Sequence, residues 1–407
     1  MSTELLDVPS EITTPTPEEL IARARAIQPL LRELQPEHAR IGTYSAPVHE
    51  AFLEAQLYDI LRPRRFGGLQ LGLRTFYSVV REIAVGDPGV SWAFSAATSS
   101  AYDVGSYFPL AAQEAAFSAA PFIAASRVAP PESGVRRVDG GFRISGRWNF
   151  CSGSTWGSHF LAGTSVTDED GTQTPYLFLV PPADYTILDD WGRDAALGMH
   201  ASASNTIVID DAFVPDDLAV VRDFGRGPDT PGFRIHGDPL YLGRTYTTYA
   251  AGFGATQVGI AQAALAEYER LLTRSASIPP RGPRDQSFFY HRWYGELMSM
   301  TDSAAALLDA ALIEFEARKV AWAAGEGEFT KADDARLRGM VVQATQLAGR
   351  VVDQAFVTGG TSSTALAGAT LGRLQQDALM YRTHIGAQWD LLHTDAGRLN
   401  VGLGPLG

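Results

Sequence analysis

Helical periodicity runs through both ends of this 407-residue chain and is broken once, over residues 121–230, by short alternating runs that read as strands. A helix needs its apolar residues three and four apart, and a half-buried strand needs them two apart. One segment cannot satisfy both patterns, so the chain must be built in blocks. The first block opens at Thr16-Pro17-Glu18-Glu19, a capping box with proline at the first helical position, followed by Leu20, Ala24, Ile27, Leu31 and Leu34 at helical spacing. Further helices are expected over 48–61, 75–85 and 110–118, punctuated by Phe66-Gly67-Gly68 and Gly86-Asp87-Pro88-Gly89. In the middle block, Val135-Arg136-Arg137-Val138 and Phe142-Arg143-Ile144 flank Asp139-Gly140-Gly141 and predict a hairpin. More strands are expected at 160–162, 176–180, 185–188 and 206–209. A stretch rich in Gly, Pro and Asp over 225–241 leads into alanine-rich amphipathic helices such as 261–272 and 290–318. The expected organisation is a loose tail at 1–15, an α-helical domain at 16–120, a β domain at 121–230 and a helical bundle at 231–407. This α+β division suits a length beyond what one core usually covers.

Composition narrows the function. No apolar run is long enough to cross a bilayer, and the first residues lack the basic start and apolar stretch of a secretory signal. The net charge of −13 argues against nucleic acid, whose phosphates need a basic surface. Cys151 is the single cysteine, which rules out an intrachain disulfide and a cysteine zinc cage and fits a reducing cytoplasm. The eight histidines show no His-x-x-x-His pairing, so no metal site is expected. There is no Gly-x-Gly-x-x-Gly after a strand and no Walker loop, which speaks against an internal nicotinamide site and against phosphoryl transfer.

The stretch Gly146-Arg147-Trp148-Asn149-Phe150-Cys151-Ser152-Gly153-Ser154 follows the hairpin. By itself it reads as core phenylalanine plus a turn, or as an apolar plane with a hydroxyl beside it, which is what the ring of a redox cofactor needs. It resembles the middle-domain strand of the acyl-CoA dehydrogenase fold. Arg65-Phe66-Gly67-Gly68, Leu197-Gly198-Met199-His200 with Ser204-Asn205, Val214-Pro215, Gly359-Gly360 and Arg373-Leu374-Gln375-Gln376-Asp377 follow in that fold's order. The run Asp377 to His384 is similar to the two-component flavin monooxygenases, such as the p-hydroxyphenylacetate and dibenzothiophene monooxygenases. These carry a histidine seven residues after an Asp.

The resemblance implies a helical domain, a β-barrel or sandwich and a four-helix bundle, assembled as a homotetramer. It implies an oxygenase component that takes reduced FMN or FAD from a separate NAD(P)H:flavin reductase. With O2 it would hydroxylate an aromatic or polycyclic small molecule, in natural-product biosynthesis or aromatic catabolism. Phe150, Cys151, Ser152, Ser126, Ser204, Arg274, Gly359, Gly360 and Asp377 would hold the cofactor, and His384 and Ser152 would act in catalysis. A histidine suits that role because it exchanges a proton near neutral pH. His393 competes with His384, and Arg281 and Arg284 compete with Arg274 for the flavin phosphates. Trp92, Tyr102 and Trp156 either wall the substrate pocket or are ordinary core. Two departures from the pattern matter: Gln376 stands where the usual Arg precedes Asp377, and no histidine occurs between His49 and His159. Nitrogen or sulfur oxygenation and an acyl-CoA dehydrogenase-like reaction are the alternatives, with a non-enzymatic role a third. Dehydrogenation needs a carboxylate base, and no glutamate follows Glu328.

Overall fold

The computed structural model describes residues 14–118, 121–128, 134–167, 170–192, 195–274, 276–277 and 282–405. The tail expected at 1–15 lies outside the described residues up to residue 13.

Six helices form the first part: α1 (Pro17–Ile41), α2 (Ala46–Glu54), α3 (Leu73–Gly86), α4 (Pro88–Thr98), α5 (Ser100–Tyr107) and α6 (Leu110–Phe117). The capping box is made as expected. The Thr16 hydroxyl accepts from the Glu19 N–H at 3.2 Å and the Glu19 carboxylate accepts from the Thr16 N–H at 2.8 Å, an arrangement that stabilises a helix start by about 1 kcal/mol. The helix expected over 48–61 stops at Glu54. Gln56 sits in the left-handed region (φ 59°), which breaks the helical ladder, and only a single 3₁₀ turn, Leu57–Asp59, follows. Asp87 caps α4, accepting from the N–H groups of Gly89 (2.9 Å) and Val90 (3.2 Å). Its other oxygen faces His38 Nδ1 at 3.4 Å, and His38 Nε2 meets Ser45 Oγ at 3.2 Å. This serine, histidine and aspartate are all buried. They clamp α1 to the start of α4.

The middle part contains β1 (Ala124–Val128), β2 (Gly134–Val138), β3 (Gly141–Cys151), β4 (His159–Thr167), β5 (Gln173–Val180), β6 (Thr186–Ile187), β7 (Asn205–Pro215) and β8 (Ala219–Val221). The expected hairpin is β2 and β3, turned by Gly140 at φ 72°. One sheet has the order β1-β4-β5-β8, with β1 parallel to β4, and the other runs β2-β3-β7-β6, antiparallel throughout. Trp148 and Phe142 on β3 meet Phe160 on β4 and Phe178 on β5 edge-on at 5.6 and 5.2 Å. These rings join the sheets, each burial contributing about 2 kcal/mol.

The last part holds α7 (Pro231–His236), α8 (Tyr246–Arg274), α9 (Phe288–Ala323), α10 (Lys331–Gly359), α11 (Thr361–Thr364), α12 (Thr370–Arg382) and α13 (Trp389–Asn400). The Gly/Pro/Asp-rich stretch is less irregular than its composition suggests, because Thr230 caps α7 through the Phe233 N–H and Gly237 ends it. Helix α8 also packs against the first part. Tyr77 of α3 donates to the Thr248 carbonyl at 2.7 Å, and Ser91 of α4 meets Thr256 at 3.1 Å. No described helix is long and apolar enough to cross a membrane.

Candidate active site

A cavity of about 140 Å³ opens where α3, α4, α5, β1 and α8 converge. That is about the volume that takes one benzene ring in an apolar protein interior. Its wall includes Trp92 from α4, Tyr102 and Asp103 from α5, Ser126 from β1, and Tyr249 and Phe253 from α8. Close approach of α8 depends on Gly252, where a Cβ would stand 2.9 Å from Ser95 Oγ. Lys319 holds Tyr102 from behind. Its buried Nζ donates to the Tyr102 hydroxyl at 2.6 Å and to the carbonyls of Leu242 and Leu240 at 2.8 and 3.1 Å. Burial pushes this ammonium down to about 7.

Trp92 joins this cavity to the end of β3. Its indole N–H donates to Ser152 Oγ at 3.0 Å, Ser152 Oγ meets Ser204 Oγ at 2.8 Å, and Ser204 meets Ser202 Oγ at 2.6 Å. Gly153 lets the turn after β3 reach α4: it takes φ 76°, and a Cβ there would lie 2.5 Å from the Ala93 carbonyl oxygen. The β3–β7 register shifts between Trp148 and Cys151. Within that shift Phe150 adopts φ 65° and presents a ring that is 57% exposed, edge-on to Trp191 at 6.2 Å. The Cys151 side chain turns the other way into the β core, its Sγ 3.2 Å from the Trp148 carbonyl, so only its backbone is left to face the site.

His384 follows α12 and packs its ring on Phe253 at 4.5 Å and edge-on to Trp92 at 5.5 Å. Its Nδ1 accepts from the Gly386 N–H at 3.0 Å, which assigns the proton of the neutral ring to Nε2. Asp377 lies about two helical turns earlier, within α12. Its carboxylate accepts from the Met199 N–H at 2.6 Å and so ties α12 to the loop before Ser202 and Ser204. Burial pushes this carboxyl up to about 6, against the nearby charge of Arg373.

The structure thus gathers Trp92, Tyr102, Ser126, Ser152, Ser204 and His384 around one cavity and its rim, with Phe150 and Asp377 on adjoining segments. Trp156, Gly359, Gly360 and His393 sit elsewhere. Trp156 stacks flat on His49 at 4.1 Å and donates to the Tyr44 carbonyl at 3.0 Å, away from the cavity lining. The Gly359 carbonyl accepts from Arg284, and Gly360 (φ 86°) ends α10 beside it. Arg274 closes α8 with a side chain outside the described residues, as is Arg281 altogether. His393 is exposed on α13.

Sequence reading missed the α8 face and Asp103. Tyr249, Gly252, Phe253 and Thr256 are spaced i, i+3, i+4, i+7, a stripe legible in the sequence. Asp103 is the one charged residue of α5, whose residues are all buried.

An exposed phenylalanine two residues before a serine hydroxyl suits a flat ring that is apolar on its face and polar at its rim. Comparison with known proteins agrees. Residues 251–389 match the family described as acyl-CoA dehydrogenase, C-terminal domain. The chain is 30% identical, over 72% of its length and 74% of the relative's, to a pigment production hydroxylase of Rhodococcus sp. (strain ATCC 21145). It is 26% identical, over 95% of both chains, to the oxygenase component of an FADH(2)-dependent resorcinol hydroxylase of Rhizobium sp. (strain MTP-10005). The crystal structure of 3-HSA hydroxylase from Rhodococcus sp. RHA1 superimposes with a TM-score of 0.85, covering 95% of this chain and 97% of that one at 26% identity. With its fold, its flavin-suited rim and these relatives, the chain belongs to the flavin-dependent monooxygenases of the acyl-CoA dehydrogenase fold, as an oxygenase component that uses reduced flavin.

Proposed function

We propose that this enzyme hydroxylates a small aromatic molecule bound in the cavity of Trp92, Tyr102, Ser126, Tyr249 and Phe253, with the flavin ring held at the rim by Phe150, Ser152 and Ser204. The carrying observation is Trp92: its ring walls the cavity while its N–H reaches Ser152. Reduced flavin, when bound, supplies the electrons with which O2 places one atom on the arene and releases the other as water. Ser152 and Ser204 offer hydroxyls to the polar edge of that ring. Phe253 and Trp92 keep water from the reacting atoms. His384, protonated on Nε2 and fixed at Nδ1 by Gly386, donates from Nε2 to the reacting oxygen. The described lining of the cavity contains no glutamate for the dehydrogenase alternative; its carboxyl is Asp103, which is held by the Tyr249 hydroxyl. The reduced flavin, FMN or FAD, comes from a separate NAD(P)H:flavin reductase, and the working form is a cytoplasmic homotetramer, as the family resemblance implies.

The test supplies the purified protein with a flavin reductase, NADH, FMN or FAD, and a panel of phenols under oxygen-18 gas. The expected result is a hydroxylated product carrying one oxygen-18 atom, with His384→Ala lowering product per NADH at least tenfold and releasing hydrogen peroxide instead. If every arene returns unchanged while all NADH appears as peroxide, the proposal is wrong.

A further inference from the structure

Five of the hydroxyls along the cavity already donate to backbone carbonyls: Tyr77 to Thr248, Ser99 to Ala96, Ser100 to Ala124, Thr248 to Thr245 and Thr256 to Gly252. No lysine or arginine lines the cavity among the described residues. Lys319 reaches it only through the Tyr102 hydroxyl, all three of its N–H groups being taken. Arg222 carries the cation whose charge is felt at Asp103, and its guanidinium lies over the Phe224 ring at 4.7 Å, with Phe224 against Tyr249 at 4.3 Å. Asp103 is the one carboxyl of the described lining, beside the phenols of Tyr77, Tyr102 and Tyr249. It is 6% exposed, and one oxygen accepts from the Tyr249 hydroxyl at 3.1 Å. The second oxygen has no hydrogen bond among the described residues.

A buried carboxyl with a single partner is costly unless a further donor meets it. We infer that Asp103, oriented by Tyr249, is the residue that selects the substrate: it accepts an O–H or N–H from the aromatic ring and turns away rings that carry a carboxylate. The selection follows from two opposed effects. A donor on the ring satisfies an acceptor that is otherwise unpaired, and a site built around such a bond discriminates strongly against an analogue that lacks it. A carboxylate on the ring would face Asp103 with no cation in the described lining and few free donors to offset the repulsion. Burial pushes the Asp103 carboxyl up to about 7, so above that pH the site holds a charged carboxylate short of donors, which a ring O–H or N–H satisfies and a ring carboxylate repels.

This inference rests on the cavity being the substrate site. Its test needs no turnover. The flavin-free protein is titrated calorimetrically with four one-ring probes: phenol, aniline, toluene and benzoate. Phenol and aniline are expected to bind at least tenfold tighter than toluene and benzoate. Asp103→Leu should bring the two donors to within threefold of toluene, and Asp103→Asn, whose amide can donate, should shrink benzoate's disadvantage at least tenfold while retaining the fold. Tyr249→Phe should weaken the donors by a smaller factor. Phenol binding no better than toluene, benzoate binding as well as phenol, a gap unchanged in Asp103→Asn, or no binding of either donor overturns the assignment. Because binding is read without flavin, a missing oxygen-18 product with this ranking intact would fault the oxygenation reading alone, and the converse would fault Asp103 alone.

Discussion

Two buried aspartates sixteen residues apart have opposite surroundings. Asp87, at the start of α4, accepts from two backbone N–H groups and faces His38, so its polar atoms are served by elements the chain always carries. Asp103, on α5, has one tyrosine hydroxyl and a cavity. Burial and residue type are alike, and what differs is whether the fold itself completes the hydrogen bonding. A fully served acid is part of the scaffold, and an under-served one marks where a ligand belongs. The serine, histidine and aspartate of the first part make the same point. Their order of contacts matches that of a hydrolytic triad, yet one Asp87 oxygen is occupied in capping α4 and all three residues are shut in the core.

The contrast breaks most readily at Asp87. Replacing Asp87 with Ala removes a helix cap and strands buried N–H groups, so it should cost about 3 kcal/mol of stability in denaturant unfolding while the ranking of one-ring ligands stays unchanged. A loss below about 1 kcal/mol would mean that the clamp on α4 is redundant.

A smaller effect sharpens the other half. The Asp103 carboxyl is raised from 3.8 to about 7 in the fold, so between those values the native state holds more protons than the unfolded one and the group's contribution to stability falls as pH rises. Asp103→Asn removes that term. Its stability relative to the parent should therefore be more favourable at pH 7 than at pH 5, by no more than about 1.4 kcal/mol per pH unit. The histidines that burial holds down, His49, His159 and His236, are common to both proteins and cancel in the difference. A stability difference that does not change between pH 5 and 7 would place Asp103 in a wetter setting than the cavity provides.

The smallest change is expected at Trp156. Trp156→Phe keeps a ring on His49 but loses the bond to the Tyr44 carbonyl, so it should lower stability by about 1 kcal/mol and leave product yield within twofold. A tenfold fall in yield would bring Trp156 back to the substrate.

The α, β, α order was legible because period 3.6 and period 2 cannot be confused over long segments, and the Thr16 box and the Gly140 hairpin carry their own signatures. Phe150, Ser152 and His384 were legible only by resemblance, since nothing in their local spacing says that a register shift exposes the Phe150 ring or that α12 delivers His384 to Trp92. The α8 stripe was visible as periodicity, but periodicity does not tell a cavity wall from a core face. Asp103 was passed over because its meaning lies in partners supplied by α8, well over a hundred residues later. The end of the helix expected over 48–61 was missed for a related reason: a left-handed glutamine is imposed by tertiary packing and has no composition signal.

Gly153 has a practical side. With no room for even one methyl group between the turn after β3 and the backbone of α4, those two elements behave as a single casting, and the spacing between the Ser152 hydroxyl and the Trp92 indole is set once for every substrate. Anyone wishing to retune this enzyme for larger rings should leave that casting alone and recut the α8 wall at Thr256, since Tyr249 also holds Asp103.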